Sequence, residues 1–110
     1  MSVRFTNDAA FQRSVAEVLE DIEDQLDTIE EGELDSRLIP GSLTVTFEDD
    51  SVLMLSQQTP THELWLSANY TAWHFVCRDG TWFERDTNEP MMVVLSGLFS
   101  QKLSTVVSFS

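Results

Sequence analysis

Phe11, Val15, Leu19, Ile22, Leu26 and Ile29 recur at spacings of 4, 4, 3, 4 and 3. That is the period of one long amphipathic helix, which needs an apolar surface to lie on. At about 100° per residue the six side chains form a stripe about 80° wide. Glu17, Glu20, Asp24, Asp27 and Glu31 cluster on the opposite side, and Glu23 and Glu30 flank the stripe. Thr6, Asn7 and Asp8 supply capping candidates and Gly32 a stop, so the spacing predicts a helix over about 8–30.

Beyond Pro40 the period changes to two. Leu43, Val45 and Phe47 alternate with Thr44, Thr46 and Glu48, which reads as a half-buried strand entered through a Pro40-Gly41 turn. Glu48-Asp49-Asp50-Ser51 reads as a hairpin turn into Val52–Leu55, and residues 57–61 as a connection. Strands follow at 63–67, at 73–77 and, after the tight-turn signal Arg78-Asp79-Gly80, at about 81–85. Val94, Leu95, Leu98, Phe99 and Leu103 mark a second helix, and Val106–Phe109 a short tail. The expected fold is α+β: a two-layer sandwich of an antiparallel sheet of about 5–6 strands, its N- and C-terminal helices on one face. The other face is left to water. All 110 residues are expected to form a single domain.

Charge narrows the function. The chain has 19 acidic and 6 basic residues, a net charge of −13, so it repels nucleic-acid phosphates and anionic membrane surfaces. Ten of those carboxylates lie between Glu17 and Asp35, and no Lys or Arg occurs from Ser14 to Ser36. Seven Phe and three Trp need a core, which argues against disorder. The one cysteine, Cys77, excludes an internal disulfide and a multi-Cys metal site and suits a reducing compartment. The start of the chain has no signal-peptide pattern, and no apolar run approaches the roughly 20 residues of a membrane span. The expectation is a soluble cytoplasmic domain.

Two features carry chemistry. Leu64 and Leu66 share one side of their strand, so Trp65 takes the other. The pattern leaves open whether that side faces water, where Trp65 would make a protein-contact anchor, or packs as ordinary core. The carboxylate run is by default a solvated helix face. Yet five like charges on neighbouring turns destabilise a helix, and an anionic patch suits a cationic partner, either a metal ion or an Arg/Lys-rich protein. Carboxylates favour hard cations, with modest affinity where no cage of ligands converges. Catalysis has little support. His62 or His74 as base with Cys77 as nucleophile fails because His74 and Cys77, three apart on a regular strand, point to opposite faces. No phosphate-binding glycine loop, nucleophile elbow or zinc-helix motif is present.

The chain resembles the frataxin family, in its short bacterial form, over nearly its whole length. The resemblance runs from the acidic helix, Phe11 to Leu26, through Gly41–Phe47 to Gln58-Thr59-Pro60-Thr61-His62-Glu63-Leu64-Trp65-Leu66-Ser67. It continues with Trp73-His74-Phe75, Trp82, Arg85 and Val106–Phe109. The most specific element is Gln-x-Pro followed by an aliphatic-Trp-aliphatic strand. The resemblance implies the same sandwich with Trp65 on the open sheet face, and a non-enzymatic role in iron–sulfur cluster assembly. It further implies weak Fe2+/Fe3+ binding, with substitution by other divalent cations, on an acidic ridge of Glu23, Asp24, Asp27, Glu30, Glu33 and Asp35. Glu20 and Glu31 join that ridge by helical geometry. The implied partners are a cysteine desulfurase, docked through Asp24 and Asp27, and the iron–sulfur scaffold protein, with Gln58 and Trp65 as sheet contacts. A monomer is implied without iron, with iron-driven oligomers as the route of the alternative function, an iron store or ferroxidase. Thr28 stands where relatives often carry another Asp, and Gln12 where some carry a metal-binding His, which implies a thinner iron site. Thr71-Ala72 lacks the glycines common before the His-Phe strand, and Val76 replaces an acidic residue.

Overall fold

Asn7 sits in extended backbone and its side-chain oxygen accepts the Ala10 N–H at 2.8 Å, which starts the first helix, α1, Asp8–Leu26. The structure, a computed structural model, describes residues 5–29 and 34–110. α1 is shorter than the apolar period predicts. Asp27 closes it, and the Thr28 and Ile29 N–H groups turn back to Gln25 and Leu26 in tighter, three-residue bonds. The reason is local: the last turn has no basic residue and holds Glu23 and Asp24 against the negative helix end. Thr28 Oγ1 also donates to the Gln25 carbonyl at 2.7 Å. Ile29 still packs against the core from outside the helix.

Among the described residues six strands follow: β1 Leu34–Ile39, β2 Ser42–Phe47, β3 Val52–Gln58, β4 Glu63–Ala68, β5 Thr71–Arg78 and β6 Thr81–Glu84. They form one antiparallel meander in chain order, and α2, Met91–Leu103, ends the element series. β1 lay unmarked in the sequence between the acidic helix and Pro40. Gln57 and Gln58 belong to β3, not to a connection, and only Thr59–Thr61 forms a 3-10 turn. Thr71 and Ala72 likewise open β5.

The turns set the register. Gly41 follows Pro40 with φ +81, and a Cβ there would meet the Gln57 side chain at 2.7 Å. Asn69 and Tyr70 (φ 52 and 62) turn β4 into β5 without glycine, and Asp79-Gly80 turns β5 into β6. Asp49 Oδ1 accepts the hydroxyl and N–H of Ser51, and Lys102 reaches its Oδ2 at 2.9 Å. Those bonds, the Ser51 hydroxyl foremost, hold the Asp49 carboxyl well below the usual range.

The two helices cover one side of the sheet. Phe11, Val15, Leu19, Ile22 and Leu26 of α1 and Met91, Val94, Leu95 and Phe99 of α2 are buried with alternate residues of β2 to β6. The tail adds Val107 and Phe109 and is pinned where Gln25 exchanges two hydrogen bonds with the Ser110 backbone, at 2.9 and 3.0 Å. Inside α2, Gly97 has open space where a Cβ would stand. Gly97→Ala is expected to stabilise the chain by about 0.5–1 kcal/mol. A higher urea midpoint with an unchanged slope checks this.

Candidate functional site

Two surfaces of opposite character emerge. On α1, Glu17, Glu20 and Asp24 are exposed and Glu23 is half-buried beside the apolar stripe, and Asp27 is exposed at the C-cap. Among the described residues none of these five forms an ion pair. Asp35 is exposed too, but lies on β1, where alternation sets it on the side of the sheet away from the helices. Glu30, Glu31 and Glu33 lie outside the described residues. The sequence-predicted ridge is therefore a row of carboxylates along one helix plus Asp35 on the sheet's edge strand. Among the described residues no group of three or more His, Cys, Asp or Glu is placed to hold a metal ion.

The second surface is the open sheet face. Leu64 and Leu66 are fully buried, while Trp65 between them is 38% exposed, which decides the open alternative for this residue. Its cross-strand neighbours are Ser56 on β3 and His74 on β5, and the His74 ring meets the indole edge-on at 4.6 Å. Trp65 Nε1–H donates to Glu63 Oε1 at 2.8 Å, and Arg85 Nη1 reaches both Glu63 oxygens at 3.2 and 3.1 Å. Gln58 is the cross-strand partner of Glu63. Among the described residues, alternation places Arg37, Arg78 and Arg85 on this face with only Asp35 and Glu63 opposing them. In a strongly acidic chain, the described sheet face carries no excess of negative charge.

Glu63 and Arg85 form a pair that chain order hides. Glu63 is two residues from Trp65 on one strand face, a spacing that the alternation rule exposes. Arg85 reaches it only through the fold of β5 and β6. Below them Glu84, 5% exposed, accepts the N–H groups of His74, Asp86 and Thr87 at 2.9, 2.6 and 3.1 Å. Burial alone would raise its carboxyl, but the three amides outweigh it and hold Glu84 below the usual range.

The residues considered for catalysis do not meet. His62 is buried, stacks on Phe11 at 4.8 Å, accepts the Phe5 N–H on Nδ1 at 3.1 Å and turns Nε2 to Asp8 at 2.8 Å. Cys77 is buried on the helix side of the sheet, and burial pushes its thiol up, away from the nucleophilic thiolate. His74 lies on the opposite side with Trp65.

A two-layer sandwich with an acidic helix on one side and a tryptophan-bearing sheet face on the other defines a class of small α+β domain that presents two surfaces of opposite character. Over residues 4–105 the sequence matches the frataxin-like domain. An iron–sulfur cluster assembly protein CyaY from Pseudoalteromonas atlantica is 26% identical over 103 residues, 94% of each chain. Among solved structures, frataxin from Psychromonas ingrahamii, of the CyaY protein family, matches with a TM-score of 0.88 at 22% identity, covering 96% of this chain and 99% of that one. The chain belongs to the frataxin family and is of its CyaY type. Among the described residues no helix is long and apolar enough to cross a membrane.

Proposed function

We propose that this protein is a non-enzymatic, iron-binding regulator of iron–sulfur cluster assembly. It docks its acidic helix on a cysteine desulfurase and offers its sheet face, through Trp65 and Gln58, to the same machinery, the scaffold protein included. The supporting relative is named for that assembly process. The observation that carries the reading is the segregation of charge: Glu17, Glu20, Glu23 and Asp24 on α1 and Asp27 at its C-cap form no ion pair among the described residues. Such a surface attracts an Arg/Lys-rich protein and also hard cations, so iron, as cargo, and the desulfurase compete for the same carboxylates. Their binding is then reciprocally coupled. Among the described residues no group of three carboxylates converges, as expected of a weak iron site.

The test compares wild type with Asp24→Lys/Asp27→Lys for binding to a bacterial cysteine desulfurase at two salt concentrations. Wild-type binding should weaken with salt, and the double variant should lose roughly tenfold or more in affinity. Iron titrated in should displace the wild type. The variant should also be more stable, by about 1 kcal/mol, because it removes repulsion and opposes the negative helix end. Lost binding then cannot be blamed on unfolding. No wild-type binding at low salt, with oxygen consumed on adding ferrous iron, would instead favour an iron store or ferroxidase.

A further inference from the structure

Trp65 stands among small neighbours. Ser56 lies across the strand from it, and the His74 ring meets the indole edge-on at 4.6 Å. Trp65 is 38% exposed, so packing covers only part of it. A carboxylate holds it as well. Glu63 lies on the water-facing side of β4 yet is only 7% exposed, with the indole N–H and the Arg85 guanidinium both bonded to it. Arg85 balances its charge, and the Arg85 N–H also bonds the His74 carbonyl at 2.9 Å. One short network thus joins the Trp65 indole through Glu63 and Arg85 to the backbone of His74, whose ring it meets.

We propose that Glu63, held by Arg85, is the positioning residue that fixes Trp65 for partner docking, and that the indole's only donor is spent inside the protein. The inference rests on the reading of Trp65 as a partner contact. Two consequences follow for the partner. It meets apolar ring surface and no free indole N–H, so the matching surface is an apolar pocket without a hydrogen-bond acceptor at its floor. It also meets the Arg85 side chain, 43% exposed beside the ring, which suits a carboxylate at the pocket's rim. Fixing the ring before contact removes the ordering loss that a mobile side chain suffers on binding.

Glu63→Leu keeps the bulk and removes the acceptor, while Glu63→Gln keeps an acceptor oxygen and removes the charge. Arg85 is exposed enough to be solvated in either variant. The Trp65 indole 15N–1H resonance, assigned with Trp65→Phe, is followed for water exchange and picosecond mobility. Affinity for a bacterial cysteine desulfurase with its scaffold protein is measured on the same samples. Glu63→Leu should expose the indole N–H to rapid exchange, raise its mobility and weaken binding roughly two- to tenfold, whereas Glu63→Gln should retain most of both. An indole that stays protected and rigid in Glu63→Leu overturns the proposal. So does equal loss of affinity in both Glu63 variants, which would assign the effect to charge. If Trp65→Ala binds as wild type, the reading of Trp65 as a contact fails, and the indole resonance still reports separately on whether Glu63 fixes the ring.

Discussion

Glu84→Ala is expected to lower stability by about 3 kcal/mol, since it strands buried N–H donors whose loss is worth about 1–3 kcal/mol each before water and relaxation recover part of it. The donors of His74, Asp86 and Thr87 all converge on this carboxylate, so its removal loosens the middle of β5 and the loop after β6 together. The effect is also pH-dependent, and the sign is fixed. The folded carboxyl lies below its ordinary value of 4.5, so its contribution is complete above that pH and is lost as pH falls through the folded value. Urea unfolding of wild type and Glu84→Ala should therefore show their widest gap near pH 7 and a narrowing gap below about pH 4.5. A gap that holds constant down to pH 3 would mean that the bonds do not depend on ionisation. Because Arg85 follows directly, Trp65 fluorescence should register the loosening in Glu84→Ala.

What the sequence reveals and what it hides divide along physical lines. The stripe from Phe11 to Leu26 is visible because a helix repeats its buried face every three or four residues, and burial of all five confirms it. Its end is not visible: Ile29 keeps the period, while the termination depends on the Thr28 hydroxyl and on unfavourable charge. β1 is an edge strand with a single neighbour. It contributes only Leu34 and Leu38 to the core margin, with exposed Ser36 between them, so the alternation is too weak to read. Its pairing with β2 comes from the Pro40-Gly41 turn. Trp65 could be assigned a side relative to its leucines, but which side faced water depended on where the helices pack. The Glu63–Arg85 pair joins residues 22 apart, and the Glu84 cradle uses backbone donors, so neither leaves a mark in residue spacing. The acidic run is fully legible as charge. Which carboxylates share a surface is a matter of strand side, and this sets Asp35 on the sheet face away from the helices.

Phe99→Ala should have the largest effect on stability, about 3–5 kcal/mol, the range for truncating a buried phenylalanine. Phe99 is fully buried on α2 and stands edge-on to Phe47 of β2 at 5.4 Å and to Phe109 of the tail at 4.9 Å. It therefore joins helix, sheet and tail, and two aromatic pairs are lost with it, each worth about 0.5–1.5 kcal/mol beyond area. Against the 5–15 kcal/mol typical of a domain, such a loss leaves a marginal fold and lowers Tm by more than about 10 °C. The tail should respond first. The Phe109 N–H donates to Ser96 Oγ at 2.7 Å, and Ser110 is clasped by Gln25, so hydrogen exchange at Phe109 and Ser110 should speed up ahead of the sheet. Val93→Ala on the outer side of the same helix, where Val93 is exposed, should stay within about 0.5 kcal/mol of wild type. Glu17, Glu20 and Asp24 of α1 are exposed, whereas Phe99 is fully buried. At a temperature where Phe99→Ala is still folded, its salt-dependent affinity for the desulfurase should equal that of wild type, and a loss there would tie docking to the tail and not to the acidic helix alone.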